Sequence, residues 1–244
     1  MARIALGINT LTSVKRIAYS NHLQLLFRIG RNTKHEVILV NPERVAIDRM
    51  RNLTAKVALE NKCDYLMFLD DDVIVPFDCL DKLIALDCDI AAGNVLIRGY
   101  PYENMFFEKD GKYVTHLKTD EMRNSKTARL EDLGAVGFSL ALIKTSLFKY
   151  VPQPFFITTT SGTEDVYFCF KAREYKSDLS ISVDLSIICG HILGDEIISD
   201  DNRLNYMRYY EKMANINPEA AKPEHRDDIL DKIVTVKESV EEHV

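Results

Sequence analysis

Over the first ninety residues the spacing of apolar positions switches repeatedly between the period of a strand and that of a helix. Residues 3–9 are a short, nearly unbroken apolar run, as a buried strand requires, and residues 14–28 repeat apolar positions at amphipathic-helix spacing. A second strand is expected at 36–40, stopped by Asn41-Pro42. A second helix is expected at 46–61, with Met50, Leu53, Val57 and Leu59 near one side. Residues 65–69 make a third, wholly apolar strand, and 77–86 a third helix. Alternation of this kind predicts right-handed βαβ units and a mostly parallel sheet.

The middle of the chain breaks the rhythm. Residues 105–109 and 112–116 flank Asp110-Gly111, a two-residue loop suited to a β-hairpin. A buried strand is then expected at 135–143, a helix at 163–174, short strands at 181–183 and 187–189, and a Tyr- and Met-rich helix at 203–214. Beyond Pro218 and Pro223, Ile229, Ile233, Val236 and Val240 share one face of a last helix expected to dock on the core. The chain is thus expected to be α/β, with a domain over 1–200, a mostly parallel central sheet and a small antiparallel hairpin, then a C-terminal helical extension over 201–244.

Composition narrows the class. With 244 residues, 46% of them hydrophobic and 28% charged, the chain has the make-up of an ordinary globular protein and not of a disordered or fibrous one. Lys and Arg total 31 against 37 Asp and Glu, a formal charge of −6, which argues against a broad basic footprint for nucleic acid. Cys63, Cys79, Cys88, Cys169 and Cys189 form no Cys-x-x-Cys pair, so neither a disulfide framework nor a zinc ribbon is expected. Polar Asn9 and Thr10 come too early for the apolar core of a signal peptide, and no apolar run approaches the ~20 residues of a bilayer span. A cytoplasmic location is the expectation.

Three segments carry candidate chemistry. The third strand runs into Asp70-Asp71-Asp72, which places carboxylates at the carboxyl edge of a parallel sheet, where open α/β sheets bind ligands. If the extended geometry persists, Asp70 and Asp72 share one side and offer two hard oxygen donors for Mg²⁺ or Mn²⁺; a solvated turn capping the next helix through Asp72 or Asp78 is the plainer reading. Glu164-Asp165 follow Thr163 at a helix start, favourable for N-capping and the macrodipole, and either carboxylate could act as a general base whose pKa the helix terminus would lower. His191, after the short apolar strand ending in Cys189-Gly190, could complete a carboxylate metal site or be an ordinary hydrogen-bonded residue.

In order and spacing these segments resemble the GT-A class of nucleotide-sugar glycosyltransferases, particularly small family 2-like enzymes of bacteria, phages and large DNA viruses. Phe-Leu-Asp-Asp-Asp resembles the DxD motif, Gly-Thr-Glu-Asp-Val-Tyr-Phe-Cys the acceptor-side Glu-Asp motif, and Cys-Gly-His the late metal ligand, over roughly residues 1–195. The resemblance implies a single GT-A, Rossmann-like domain. Asn9 and Thr10 would form the nucleoside-binding edge, and the segment from Asp48 through Arg51 to Asn52 would close over the base and diphosphate. Asp70, Asp71 and Gly137 would also contact the donor; Gly137 lies in the Gly-rich stretch 134–139 beneath the sugars. Asp70, Asp72 and His191 would hold Mn²⁺ or Mg²⁺. Asp165 would take the acceptor proton, with Glu164 orienting the acceptor or exchanging roles, and the sugar would be transferred with inversion. Arg98, after the fourth strand, is read as a loop charge.

The donor implied is a nucleoside-diphosphate sugar, UDP-sugar favoured, although Asn41 stands where many relatives have Asp. No Gln-x-x-Arg-Trp occurs and the chain has no Trp, so a single transfer is expected and not polymerisation. The acceptor would be a glycan or another hydroxyl, including a lipid-linked sugar, a protein side chain or, for a viral gene, a hydroxymethylated DNA base. Lys118, Arg123, Lys126 and Arg129 lie in a polar segment expected to be a solvated loop, with a lid or a DNA-binding strip as the other readings. The competing functions are a non-catalytic nucleotide-sugar or glycan binder and, more distantly, a metal-dependent phosphoesterase.

Overall fold

A computed structural model describes residues 1–10, 13–32, 34–42, 45–160 and 162–216. In chain order the elements begin with β1 (Ala2–Asn9), α1 (Arg16–Asn32), β2 (His35–Val40), α2 (Ile47–Glu60), β3 (Tyr65–Asp70), β4 (Val73–Ile74), α3 (Cys79–Ala85) and β5 (Ile90–Asn94). Short pieces follow: β6 (Phe106–Phe107), α4 (His116–Arg123), β7 (Arg129–Leu130) and β8 (Ala135–Val136). The remainder comprises β9 (Leu140–Lys144), α5 (Glu164–Tyr175), β10 (Ile181–Ile188), β11 (Gly190–Leu193), β12 (Glu196–Ile198) and α6 (Arg203–Ile216). The expected last helix at 229–240 lies outside the described residues.

Seven strands form one twisted sheet in the order β2-β1-β3-β9-β5-β10-β7. The expected parallel pairs are present: β1 with β2, β1 with β3, and β5 with β10. The sheet is nevertheless mixed, because β9 lies antiparallel between β3 and β5, and β7 runs antiparallel to β10 at the edge. This inserted strand matters for the site. Running opposite to β3, β9 begins where β3 ends, so Leu69 pairs with Leu140 and the Asp70 amide donates to the Ser139 carbonyl at 3.0 Å.

Both faces of the sheet are covered, which is why its central strands read as unbroken apolar runs. On one face Ile4, Leu6, Met67 and Leu69 meet Leu25 of α1 and Leu80 and Leu83 of α3. On the other, Ala5, Leu66 and Phe68 meet α2, α5 and a group of phenylalanines. There α2 lies close against β1: a Cβ at Gly7 would sit 2.6 Å from Thr54 Cγ2. Phe156 lies inside the aromatic group, with ring centroids 4.6 Å from Phe168, 5.5 Å from Phe68 and 6.1 Å from Phe138.

Three local expectations change. The strand expected at 135–143 is interrupted at Gly137–Ser139, because the backbone of Phe138 bonds to side chains and not to a ladder partner. The Asp110-Gly111 turn forms, with Gly111 at φ 86° and Glu108 N–H donating to Lys112 O at 2.7 Å. The two arms stay short, however: β6 pairs with β8, and His116 begins α4, which Thr115 caps by accepting from Lys118 N–H. The segments 181–183 and 187–189 belong largely to one strand, β10, with a register shift between Asp184 and Ile188. No helix among the described residues is long and apolar enough to cross a membrane.

Truncating Phe156 to Ala should remove the centre of the aromatic group and lower stability by about 3–5 kcal/mol, read from urea unfolding. A loss under about 1 kcal/mol would mean that the group repacks freely.

Candidate functional site

Asn9 and Asp70 are paired neighbours at the carboxyl ends of β1 and β3. Asn9 is only 4% exposed, and neither its Oδ1 nor its Nδ2 has a hydrogen-bond partner among the described residues. Buried amides are rarely left so, which makes this edge suited to a polar ligand. Thr10, next in the chain, is half-buried.

Arg51 projects from α2 beneath that edge and is 3% exposed. Its guanidinium lies between the rings of Phe68 and Phe138, 4.8 and 5.6 Å from their centroids. Nε donates to Glu164 Oε1 at 2.7 Å, Nη1 to the Phe138 carbonyl at 3.1 Å, and Nη2 reaches Asp70 Oδ1 at 3.5 Å. Burial acts to lower the arginine pKa, but Asp70, Glu164 and nearby Asp165 outweigh it, so the cation is held more firmly than usual. The carboxylates share this one cation. Burial, reinforced by the neighbouring Asp165, pushes the Glu164 carboxyl up to about 7 despite Arg51. Burial also raises Asp70, again against Arg51. The expectation that the helix terminus would lower the Glu164 pKa is corrected, because desolvation outweighs the terminal dipole here.

Asp165 is buried and held by two backbone amides: Phe138 N–H donates to Oδ2 at 3.0 Å and Val166 N–H to Oδ1 at 2.8 Å. Thr163 makes no side-chain cap; its carbonyl accepts from Tyr167 N–H instead. Gly137 sits beside this carboxylate. A Cβ there would lie 2.8 Å from Met105 Cβ and 3.6 Å from Asp165 Oδ2, so any side chain at this position would collide with Met105.

Asp72 belongs to a second group. The chain turns at Asp71 and Asp72 before entering β4, so the strand alternation that would align Asp70 with Asp72 ends at Asp70. Asp70 faces Arg51, whereas Asp72 Oδ2 pairs with Arg98 at 2.8 Å and Oδ1 lies 3.4 Å from His191 Nε2. Burial acts to raise the Asp72 pKa, but His191 and Arg98 outweigh it and hold the carboxyl below its usual value. The helix-capping alternative fails too: Asp78 pairs with Lys82 and makes no side-chain cap to α3. Asp71 is half-buried in the turn.

His191 is placed by β11, whose residues Gly190 and His191 pair with Ile74 and Val73 of β4. Its Nδ1 lies 2.6 Å from the Leu96 carbonyl, which only accepts, so Nδ1 carries the hydrogen. In the neutral ring Nε2 then presents a lone pair to a carboxylate oxygen. A proton, a metal ion or a water donating to both atoms would relieve that contact, and an Nδ1–H···O=C bond is the usual support of a ligating histidine. Among the described residues no three His, Cys, Asp or Glu side chains are arranged to hold a metal. Of the three expected ligands, the structure brings together Asp72 and His191 and turns Asp70 toward Arg51. Cys189 is fully buried and its thiol is pushed up by burial, consistent with a packing role.

Arg98 corrects the reading of a loop charge, since it is the cation on Asp72. It lies at a bend just beyond β5, and nothing in the sequence singles out its pairing with Asp72. The basic segment is corrected as well. Lys118 pairs with Glu108 at 2.5 Å, Arg123 with Asp120 and Asp200, and Arg129 donates to the Ala85 carbonyl. Three of the four cations are engaged within the fold, and residues 116–123 are helical.

No family model matches the chain, and no curated protein matches it. Among solved structures, protein A197 of STIV superimposes with a TM-score of 0.54 at 20% identity, over 82% of this chain and 91% of that one. The fold is GT-A-like. A GT-A-like framework also matches, at a TM-score of 0.40 and 16% identity, a Drosophila β1,4-galactosyltransferase 7 mutant in complex with manganese, UDP-Gal and xylobiose, over 93% of this chain and 82% of that one. A putative glucose-1-phosphate thymidylyltransferase from Bacillus anthracis matches at 0.44 and 8% identity, over 85% and 96% of the two chains.

The raised Glu164 carboxyl sets a pH dependence of stability. Between its ordinary value of 4.5 and about 7, the folded protein keeps a proton that the unfolded chain has released, so stability falls as pH rises through this window. The contribution is at most about 1.4 kcal/mol per pH unit, and Glu164→Gln should flatten it in urea unfolding across the window. An unchanged slope in the variant would place the titration elsewhere.

Proposed function

We propose that the chain is a metal-dependent glycosyltransferase that moves one sugar from a nucleoside-diphosphate sugar, UDP-sugar favoured, to an acceptor hydroxyl with inversion. The observation that carries this reading is the contact of Asp72 Oδ1 with His191 Nε2 at 3.4 Å, with the other ring nitrogen committed to Leu96, at the same sheet edge as Asn9 and Asp70. Asp72 and His191 would hold Mn²⁺ or Mg²⁺, with donor oxygens and water filling the remaining positions, while Asp70 stays on Arg51. The ion would supply Lewis-acid stabilisation for the negative charge that develops on a departing diphosphate.

The chain's own residues do the rest. Asn9 offers its buried amide, with Thr10 and Asp71 beside it, to the nucleoside end of the donor. Arg98 offers a guanidinium at the surface, suited to phosphate oxygens. Arg51 is too deeply buried to touch the donor and acts by positioning Asp70 and Glu164. Asp165, fixed by two backbone N–H groups, takes the acceptor proton as the acceptor oxygen bonds to the anomeric carbon and the bond from that carbon to the diphosphate breaks. Alignment, more than basicity, makes it effective. Glu164, held by Arg51, orients the acceptor. The acceptor is a glycan or another hydroxyl compound.

Purified protein should release nucleoside diphosphate from at least one member of a panel of sugar donors, with release depending on Mn²⁺ or Mg²⁺. Asp165→Asn should lower transfer by about 10²–10⁴-fold and leave metal-dependent donor binding nearly intact. His191→Ala should weaken the response to metal. Full transfer by the Asp165→Asn protein would remove this residue as the base, and no release from any donor would favour a binding protein.

A further inference from the structure

The outward face of α1 has a composition unlike the rest of the surface. The helix is anchored on its inner side, where Ala18, His22 and Leu25 are buried, His22 donates to the Val73 carbonyl at 2.8 Å, and Asn21 exchanges two 3.0 Å bonds with the Val75 backbone. On the opposite side Leu23 and Phe27, one helical turn apart, are 47% and 67% exposed, with Tyr19 flanking them at 55%. Phe77, from the loop before α3, joins Leu23, Gln24 and Phe27 to make one continuous apolar surface. Isolated exposed apolar residues are ordinary, but a contiguous patch of large ones on a fixed helix marks an interaction surface.

The charge that α1 carries has one sign. The helix carries Arg16, Arg28 and Arg31 and no acidic residue, and Lys34 follows it. All 37 acidic residues of this net-acidic chain lie from Glu36 onward. The nearest carboxylates, Asp78 and Asp81 of the α3 region, are already beside Lys82 and His35. Arg31 lies over the Phe27 ring at 5.5 Å from its centroid, the arrangement in which a long cationic side chain covers apolar surface while keeping its charge at the level of polar groups.

We propose that α1 docks the protein on an anionic phospholipid surface, with Leu23, Phe27 and Phe77 entering between headgroups and Arg16, Arg28, Arg31 and Lys34 meeting lipid phosphates. A surface helix with large apolar side chains along its outward face and cations around them matches the interfacial mode of binding, in which a helix lies in the membrane plane. The 17 residues of α1 extend about 26 Å, enough to lie along the surface. The cations flank the apolar side chains along one helix, so a layer of phosphates with acyl chains beneath it answers both at once.

Flotation of the full chain with phosphatidylcholine vesicles, with and without phosphatidylglycerol, tests the proposal. The protein should float with the anionic vesicles at low salt, lose binding as salt rises, and stay in solution with phosphatidylcholine alone. Leu23→Gln with Phe27→Gln, which leaves the charge unchanged, should weaken binding roughly tenfold or more, and Arg28→Gln and Arg31→Gln about fivefold each. Unaltered circular dichroism and unfolding temperature would verify that these exposed substitutions leave the fold intact. Absence of flotation, or flotation indifferent to all four substitutions, would overturn the proposal. So would a dimer that the Leu23→Gln, Phe27→Gln protein converts to monomer without any vesicle binding, since a second copy of the chain would then be the occupant.

Discussion

Arg51 lies between two aromatic rings with Glu164, Asp70 and a main-chain carbonyl around the edge of its guanidinium. Removing a cation and its carboxylates from water costs several kcal/mol per ion, so such a group persists only when each hydrogen-bonding position is answered. The answers come from four separate parts of the chain: α2 supplies the cation, β3 ends at Asp70, α5 begins at Glu164, and the break between β8 and β9 turns the Phe138 carbonyl inward. The same break turns the Phe138 amide toward Asp165. One buried charge thus explains why β3 stops where it does, why a strand is interrupted at Gly137–Ser139, and why α5 enters the molecule with its acidic end first.

Much of the framework was legible in the order of residues because it rests on local periodicity. The first three strands and first two helices lie within a few residues of where the apolar spacing places them, and the Gly111 turn follows from its dipeptide. The antiparallel insertion of β9 was not legible, because an apolar run carries no sign of the direction in which it is threaded. Its interruption at Phe138 was equally hidden, since that residue's backbone is diverted by side chains from α2 and α5, far away in sequence. The separation of Asp70 from Asp72 has the same origin: alternation is a property of an extended chain, and a turn at Asp71 ends it. Arg51 and Arg98 show the limit for single charges. Each is an ordinary arginine in the sequence, and only the fold reveals that one is buried under the site and the other caps Asp72.

Within the site the two groups of charges are built differently. Around Arg51 the cation and Glu164 are buried, and a proton on Glu164 relieves the excess of carboxylates over cations. Around Asp72 the partners are partly open to solvent, and relief comes from Arg98 on one oxygen and from whatever occupies His191 Nε2 on the other. The first arrangement suits positioning, because nothing in it has room to exchange. The second suits reversible occupation, because the carboxylate and imidazole are already held in place by β4, β11 and the Leu96 carbonyl.

This difference bears on the order in which ligands assemble. Asp70, Asp71, Asp72, Glu164 and Asp165 gather five carboxyls at one sheet edge, against the guanidiniums of Arg51 and Arg98. A nucleoside diphosphate brings further negative charge to that edge, where partial burial weakens screening. Arg51 is buried and paired within the fold, and Arg98 alone leaves the balance negative. Under the proposed function such a donor would bind together with a cation, each raising the affinity for the other by the same factor, since coupling between two ligands is reciprocal. Under the proposed function, the acidic edge that would repel the donor alone would be the feature that makes donor and metal arrive as a pair.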